Sequence, residues 1–266
     1  MDSSRCRPLI TTQPVKQDKK PYYSFVHSRD RIDAQETFFE PSSFPWTAKI
    51  ELQHPAILNE ISAYLGGRNA LKPYFATEMM SAPEKWKAFS FYFWGLRMNA
   101  DACRRCPETI RLLENIPDIV SASVSVLEPH AEIKGHFGDT DAIYRCHFGL
   151  IVSGKLPECG FRVGYEDKSW ENGKFLIFND ANYHRAWNHT DQRRVVLILD
   201  VIRPQFAKRK TWICARVHGN IMWLTVAQAT GIFKGKTNGF TKTATFLFAL
   251  FAWVRLHSLN RKSAWL

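Results

Sequence analysis

The sequence predicts a mainly β domain, a sandwich or small barrel, preceded by helices and followed by a basic, apolar extension. Three observations predict it. After Pro117, short β-rich runs follow one another with turn-forming clusters and no helical period between them. Ahead of them, two stretches carry apolar residues at helical spacing. With 45% hydrophobic and 14% aromatic residues, the 266-residue chain has the composition of a folded domain with its own core.

In chain order, residues 1–20 are polar, Lys-containing and without period, so they are read as a flexible N-terminal tail. The domain proper is expected over 21–206, with its β core at 118–206. His54 to Leu65 has helical apolar spacing and stops at Gly66-Gly67. Pro107 to Glu114 reads as a second helix, with Pro in the first turn and an early acid. Ser121 to Val126 alternates serines with apolar residues, the mark of a strand with two unlike faces. Tyr144 to Val152, Gly173 to Phe178 and Arg194 to Ile202 are further β-rich runs, and Ser153-Gly154 and Glu171-Asn172-Gly173 are turns. No solenoid repeat is present.

The extension at 207–266 differs in charge. From Gln205 to the end there are ten Lys and Arg and no Asp or Glu, so the rest holds 36 − 10 = 26 basic against 25 acidic residues. Almost all of the net +11 is therefore C-terminal and points to an anionic partner or surface for that segment. Thr243 to Val254 is an uncharged, mainly apolar run between Lys242 and Arg255. As a helix it would be about 18 Å long, short of the roughly 20 residues that a bilayer needs. Burial against the barrel is the first expectation; shallow insertion at an anionic membrane is the alternative.

The six cysteines are scattered and the first twenty residues lack the order of a secretion signal. Reduced thiols and a cytoplasmic location, with peripheral membrane contact as the added option, are expected. Cys103 and Cys106 have half of a zinc spacing without a second pair, so a structural role is expected. Asn188-His189-Thr190 has the glycosylation pattern, relevant only after secretion.

Two histidines stand out. His136 lies in Gly135 to Asp139 and His184 in Asn182 to Trp187, each read as just following a strand. Strand ends converge at a barrel mouth, where two imidazoles would suit iron, copper, zinc or nickel. Taken singly, each is more commonly a surface or core residue. Arg145 and His147, two apart on a strand, project from one face. Arg194 opens a very apolar strand, and a guanidinium inside a barrel is costly unless an anion meets it. Its planar fork suits a small dicarboxylate; the alternatives are that Arg194 faces out or pairs with Asp200 or Glu166. Trp170 and Trp187 are pocket walls or core, and Arg162 and Lys174 are anion contacts or solvated surface.

The segments SVLEPHAEIKGHFGD, YRCHFGLIV, CGFRVGYEDKSWENGKFLIFNDANYHRAWNHT and RRVVLILDVIRP, spanning Ser125 to Pro204, resemble the aspartyl/asparaginyl β-hydroxylase family. Phe44 to Pro117 resembles it more loosely. The resemblance implies a double-stranded β-helix (a jelly-roll, cupin-like barrel) and an iron(II)- and 2-oxoglutarate-dependent dioxygenase that hydroxylates an unactivated carbon with dioxygen. On it, His136 and His184 match the iron ligands. Arg194 and Ser125 match the partners of the distal carboxylate of 2-oxoglutarate, and Arg145 and His147 those near its chelating carboxylate. Gly138 stands where most oxygenases of this fold carry a metal-binding carboxylate, as in members resembling the animal enzyme; Asp139 is expected to cap its own turn. Pro129-His130-Ala131, Gly135 and Asp141 depart from the family pattern and bear on the acceptor.

The leading function is hydroxylation of the β-carbon of an aspartyl or asparaginyl residue, or of the amino acid. The alternative is hydroxylation of a lipid-linked acyl chain, of the lipid A type, at a membrane surface. A third reading, a catalytically spent barrel acting as a binding module, conflicts with the intact set His136, Arg145, His147, His184 and Arg194. Nucleic acid is disfavoured as a partner because the tail carries no recognised motif.

Overall fold

The computed structural model describes residues 20–26, 37–67, 71–74, 82, 84–231 and 239–260. The expected tail at 1–20 therefore lies outside the described residues except for Lys20. The chain runs through β1 (Phe38–Phe39), α1 (Thr47–Leu52), α2 (His54–Leu65), β2 (Lys72–Pro73), β3 (Trp86–Phe93), β4 (Leu96–Arg97), α3 (Ala100–Arg105) and α4 (Pro107–Leu113). The β core follows as β5 (Ile119–Leu127), β6 (Ala131–Phe137), β7 (Ile143–Ile151), β8 (Cys159–Val163), β9 (Glu166–Lys168), β10 (Phe175–Phe178), β11 (Tyr183–Asn188) and β12 (Arg194–Ile202). Helices α5 (Lys210–Thr230) and α6 (Gly239–Asn260) close the chain.

The early helices form where the local chemistry allows. Helix α2 has Pro in its first turn and buries Ile57, Ile61, Tyr64 and Leu65, one stripe at helical period. Asn99 caps α3 by accepting from the Ala102 amide at 2.9 Å. The Glu60 carboxylate of α2 accepts from the Glu108 and Thr109 amides at 2.9 and 2.8 Å, so α2 caps α4 across the packing interface.

Strands β5 to β12 alternate between two sheets. One contains β10-β7-β12-β5, extended by β3, β2 and β1; the other is β6-β11-β8-β9. All pairings are antiparallel. This is the jelly-roll order of a double-stranded β-helix, as expected.

Period-2 alternation divides the work of β12. Val195, Leu197, Leu199 and Val201 join the core shared with Ile57, Ile61 and Leu113 of the helices. Arg194, Val196, Ile198 and Asp200 therefore face the barrel interior. Register carries the same face across the sheet. Val196 opposes Ser125, Ile198 opposes both Ser123 and His147, and Asp200 opposes both Ser121 and Arg145. The serine face of β5 thus lines the interior.

Two expectations change. His136 and His184 lie within β6 and β11, not after strands. The run Thr243 to Val254 is not buried against the barrel: α6 packs on α5, and only Ala252 and Leu256 of α6 enter the core cluster that contains Ile213 and Val217. No described helix is long and apolar enough to cross a membrane. The Asn188 side chain is fully buried and donates to Leu127, Glu128 and Gln192 carbonyls, which leaves no glycosylation acceptor. Cys103 and Cys106 are free and buried in the helical core.

Candidate active site

The site forms where the two sheets face each other at the end of β6 and β11. His184 and His136 are direct cross-strand partners, with ring centroids 4.2 Å apart. Each Nδ1 lies against a backbone carbonyl two residues back: His136 on Lys134 at 2.9 Å and His184 on Asn182 at 2.8 Å. A carbonyl only accepts, so both Nδ1 atoms carry the proton and both Nε2 atoms keep a lone pair. Burial lowers the pKa of His136 and pushes that of His184 well below the usual histidine range. Both imidazoles are therefore neutral and donor-ready, the state that a metal ion requires.

The third position is unusual. Gly138 has no side chain to offer, and a Cβ there would fall 1.8 Å from Asp180 Oδ2. The Asp180 carboxylate, arriving from the β10–β11 turn, fills the volume where a residue-138 side chain would sit. It is fully buried, with Oδ1 3.7 Å from His184 Nε2 and Oδ2 without a partner. Burial pushes its carboxyl up to about 7, against the opposing pull of Arg145. The sequence reading missed Asp180. Its signal was an acid in a tight turn four residues before His184. Asp139 does not cap its own turn; its side chain bonds that of Asn220 on α5. Among the described residues no three His, Cys, Asp or Glu converge as a metal cage, so the two imidazoles stand as a pair.

Deeper in, Arg194 is 1% exposed, and its Nε and Nη1 have no hydrogen-bond partner. Its guanidinium lies 4.5 Å over the Trp170 ring. Burial pulls its pKa down to about 10. The alternatives weighed from sequence do not hold, because Asp200 is taken by Arg145, and Glu166 accepts from Thr37. An uncompensated buried cation costs several kcal/mol, and this one sits over an aromatic face with its donors free. Such free, buried donors could receive an anion.

Ser125 and His147 share that face. Trp86 Nε1 donates to Ser125 Oγ at 2.9 Å, which leaves the Ser125 hydroxyl proton free to donate. Trp170 Nε1 donates to His147 Nδ1 at 3.2 Å, which assigns the His147 proton to Nε2. Burial, with Arg194 and Arg145 adding repulsion, holds His147 well below the usual range, so it is a neutral donor. Trp170, left open between wall and core, is thus a wall that orients two site residues.

Arg145 differs from its expected role. Its Nη1 donates to Asp180 at 2.5 Å, and its Nε and Nη2 grip Asp200 at 2.7 and 3.0 Å. It is committed to two protein carboxylates, beside the imidazole pair and not free for a ligand. Arg162 and Lys174 are tied to Asp167 and Glu51, which supports surface ion pairs over anion capture.

Fold and side chains together define a double-stranded β-helix with an imidazole pair at one end and, behind it, a buried arginine with two unpartnered nitrogens. The sequence profile of the Aspartyl/Asparaginyl beta-hydroxylase family matches residues 51–204, and the chain belongs to that family. It is 34% identical over 170 residues to the ornithine lipid ester-linked acyl 2-hydroxylase of Rhizobium tropici, covering 62% of this chain and 60% of that protein. It is 32% identical over 146 residues to human aspartyl/asparaginyl beta-hydroxylase, covering 52% of this chain and 19% of that protein. The chain thus spans less than two thirds of each of these relatives. Among solved structures it resembles a Pseudomonas putida prolyl-4-hydroxylase, with 13% identity, a TM-score of 0.42, and coverage of 64% of this chain and 94% of that one.

Proposed function

We propose that the protein is an iron(II)- and 2-oxoglutarate-dependent dioxygenase that hydroxylates an unactivated carbon. The observation that carries this reading is Arg194, a buried guanidinium with two unpartnered nitrogens on the same barrel face as Ser125 and His147.

His136 and His184 would hold iron through Nε2, each aimed by its Nδ1–H bond to a backbone carbonyl. Arg194 and the Ser125 hydroxyl would grip the distal carboxylate of 2-oxoglutarate, and the His147 Nε2–H would donate to an oxygen nearer the metal. Arg145 serves this set by pairing with both Asp180 and Asp200, so that its positive charge offsets part of the repulsion that buried carboxylates would exert on an incoming diacid. Phe161 and Phe178 pack beside both His147 and His184 and keep the cavity poor in water. Bound iron with 2-oxoglutarate and dioxygen supplies the oxidising power that converts C–H to C–OH, with succinate and carbon dioxide as co-products.

The leading acceptor is the β-carbon of an aspartyl or asparaginyl residue or amino acid, supported by the family and the human relative. A lipid-linked acyl chain is the second reading, supported by the Rhizobium tropici relative. The test is to supply iron(II), ascorbate and 2-oxoglutarate with peptide, amino-acid and acyl-lipid acceptors, and to read succinate and a mass gain of one oxygen. Iron-dependent succinate with one oxidised acceptor class is expected. Succinate formation that is indifferent to iron would contradict the proposal.

A further inference from the structure

The C-terminal helix pair is built inside out. The side of α6 that meets α5 presents Thr241, Thr245, Ala249 and Ala252, closed by Leu256, all buried. Opposite them, Leu247, Leu250, Phe251 and Val254 are 59%, 40%, 60% and 60% exposed, while Phe246 at the edge packs against Trp212 of α5. A helix on a water-soluble domain turns its large apolar residues inward. Small residues at the contact and large ones outward is the distribution of a helix that faces lipid. The close approach is real: a Cβ on Gly219 of α5 would fall 2.6 Å from both the Thr245 carbonyl oxygen and the Ala249 nitrogen of α6.

Charge names the surface. Residues 205–266 hold no Asp or Glu. At 100° per residue, Lys242 and Arg255 fall on opposite borders of the apolar face, and both are exposed. At the barrel end of the pair, a cavity of about 660 Å³ is lined by Lys20, Lys208, Arg209, Trp212, Trp253 and His257, among other residues that include no carboxylate. Trp253 belongs both to that cavity and to α6, so the cationic cavity and the apolar face are continuous. A cationic, aromatic-walled cavity beside an exposed apolar strip matches an amphiphile with an anionic head and hydrocarbon tails. The middle of α5 reaches the candidate active site, since Asn220 bonds Asp139, the residue after Gly138.

We propose that α6 lies in the plane of an anionic membrane surface, with its Phe251–Val254 side in the acyl region and an anionic phospholipid headgroup in the cavity of Lys208, Arg209 and Trp253. This holds whichever acceptor the barrel hydroxylates. The test is flotation of the full chain with vesicles of phosphatidylcholine alone or of phosphatidylcholine with phosphatidylglycerol. Binding to the anionic vesicles only, weakening with salt, is expected. The doubly substituted F251D/V254D should lose it. K208Q/R209Q should bind roughly thirty-fold more weakly, as for two surface cations neutralised. These positions are exposed, so both variants should melt like the parent; F251S/V254S is the milder check on the same face. Equal binding to both vesicle types, no binding, or variants that float like the parent would overturn the proposal. So would a lipid-free dimer that F251D/V254D dissociates, which would make the face a self-association surface. An oligonucleotide bound equally well by parent and F251D/V254D, without vesicle binding, would assign the basic segment to nucleic acid and also overturn it.

Discussion

His136 and His184 oppose one another on a single rung of the four-stranded sheet, each with its Nδ1 proton bound to a backbone carbonyl two residues earlier. That symmetry presents two Nε2 lone pairs side by side without help from any other side chain. Replacing either His with Ala should leave one imidazole and abolish iron-dependent succinate formation. Iron content after anaerobic loading checks it: the parent should retain one equivalent and each variant almost none.

Arg194 has no protein counter-charge, so its cost in the ligand-free protein should be measurable. Arg194→Met keeps much of the volume and removes the buried charge. Apo stability in urea should rise by about 1–4 kcal/mol. Added 2-oxoglutarate should raise the stability of the iron-loaded parent and not that of the variant. A variant less stable than the parent would mean that the guanidinium has an unseen partner.

Gly138 and Asp180 compete for one volume. Gly138→Asp, which would restore a carboxylate beside His136, must displace Asp180 Oδ2 and also meets the Asp180 carbonyl oxygen at 2.5 Å. It should cost roughly 2–4 kcal/mol by overpacking and like charge. Gly138→Asp with Asp180→Ala should recover only part, because the backbone clash remains. Thermal melts of the two variants decide this.

His147 is held neutral by burial and by two nearby guanidinium groups, with a folded pKa well below the ordinary value. The unfolded chain takes up a proton at this position below about pH 6.5, and the folded chain does not. Stability is therefore lost as pH falls through that value. His147→Gln removes this contribution, so the stability of the apo parent relative to the variant should shrink between pH 7 and pH 5. Paired urea melts at the two pH values measure it.

How much of this was legible depended on period. Arg145 and His147 lie two apart on one strand, and the serines of β5 alternate with apolar residues, so each of these faces could be read from spacing alone. Arg194 opens an almost wholly apolar strand, so its inward direction could not. Nor could the imidazole rung. Tyr183–Asn188 has no alternation, and the alternation of Ala131–Phe137 puts His136 with Glu132 and Lys134, as on a solvated face, so nothing in either segment points to a shared rung. Asp180 escaped because it acts by filling space left by a glycine on another strand, a relation that exists only in three dimensions. In α6 the apolar residues lie on nearly all sides, so sequence gave the helix but not its inverted packing. That orientation is set by the glycine contact with α5.

The account turns on a diacid held by Arg194 in front of iron held by two imidazoles. Anaerobic titration of the iron(II)-loaded protein with 2-oxoglutarate, parent beside Arg194→Ala, tests it most directly. Saturable binding by the parent is predicted, with a loss of about 2–5 kcal/mol in the variant. Equal affinity in the two proteins would contradict it.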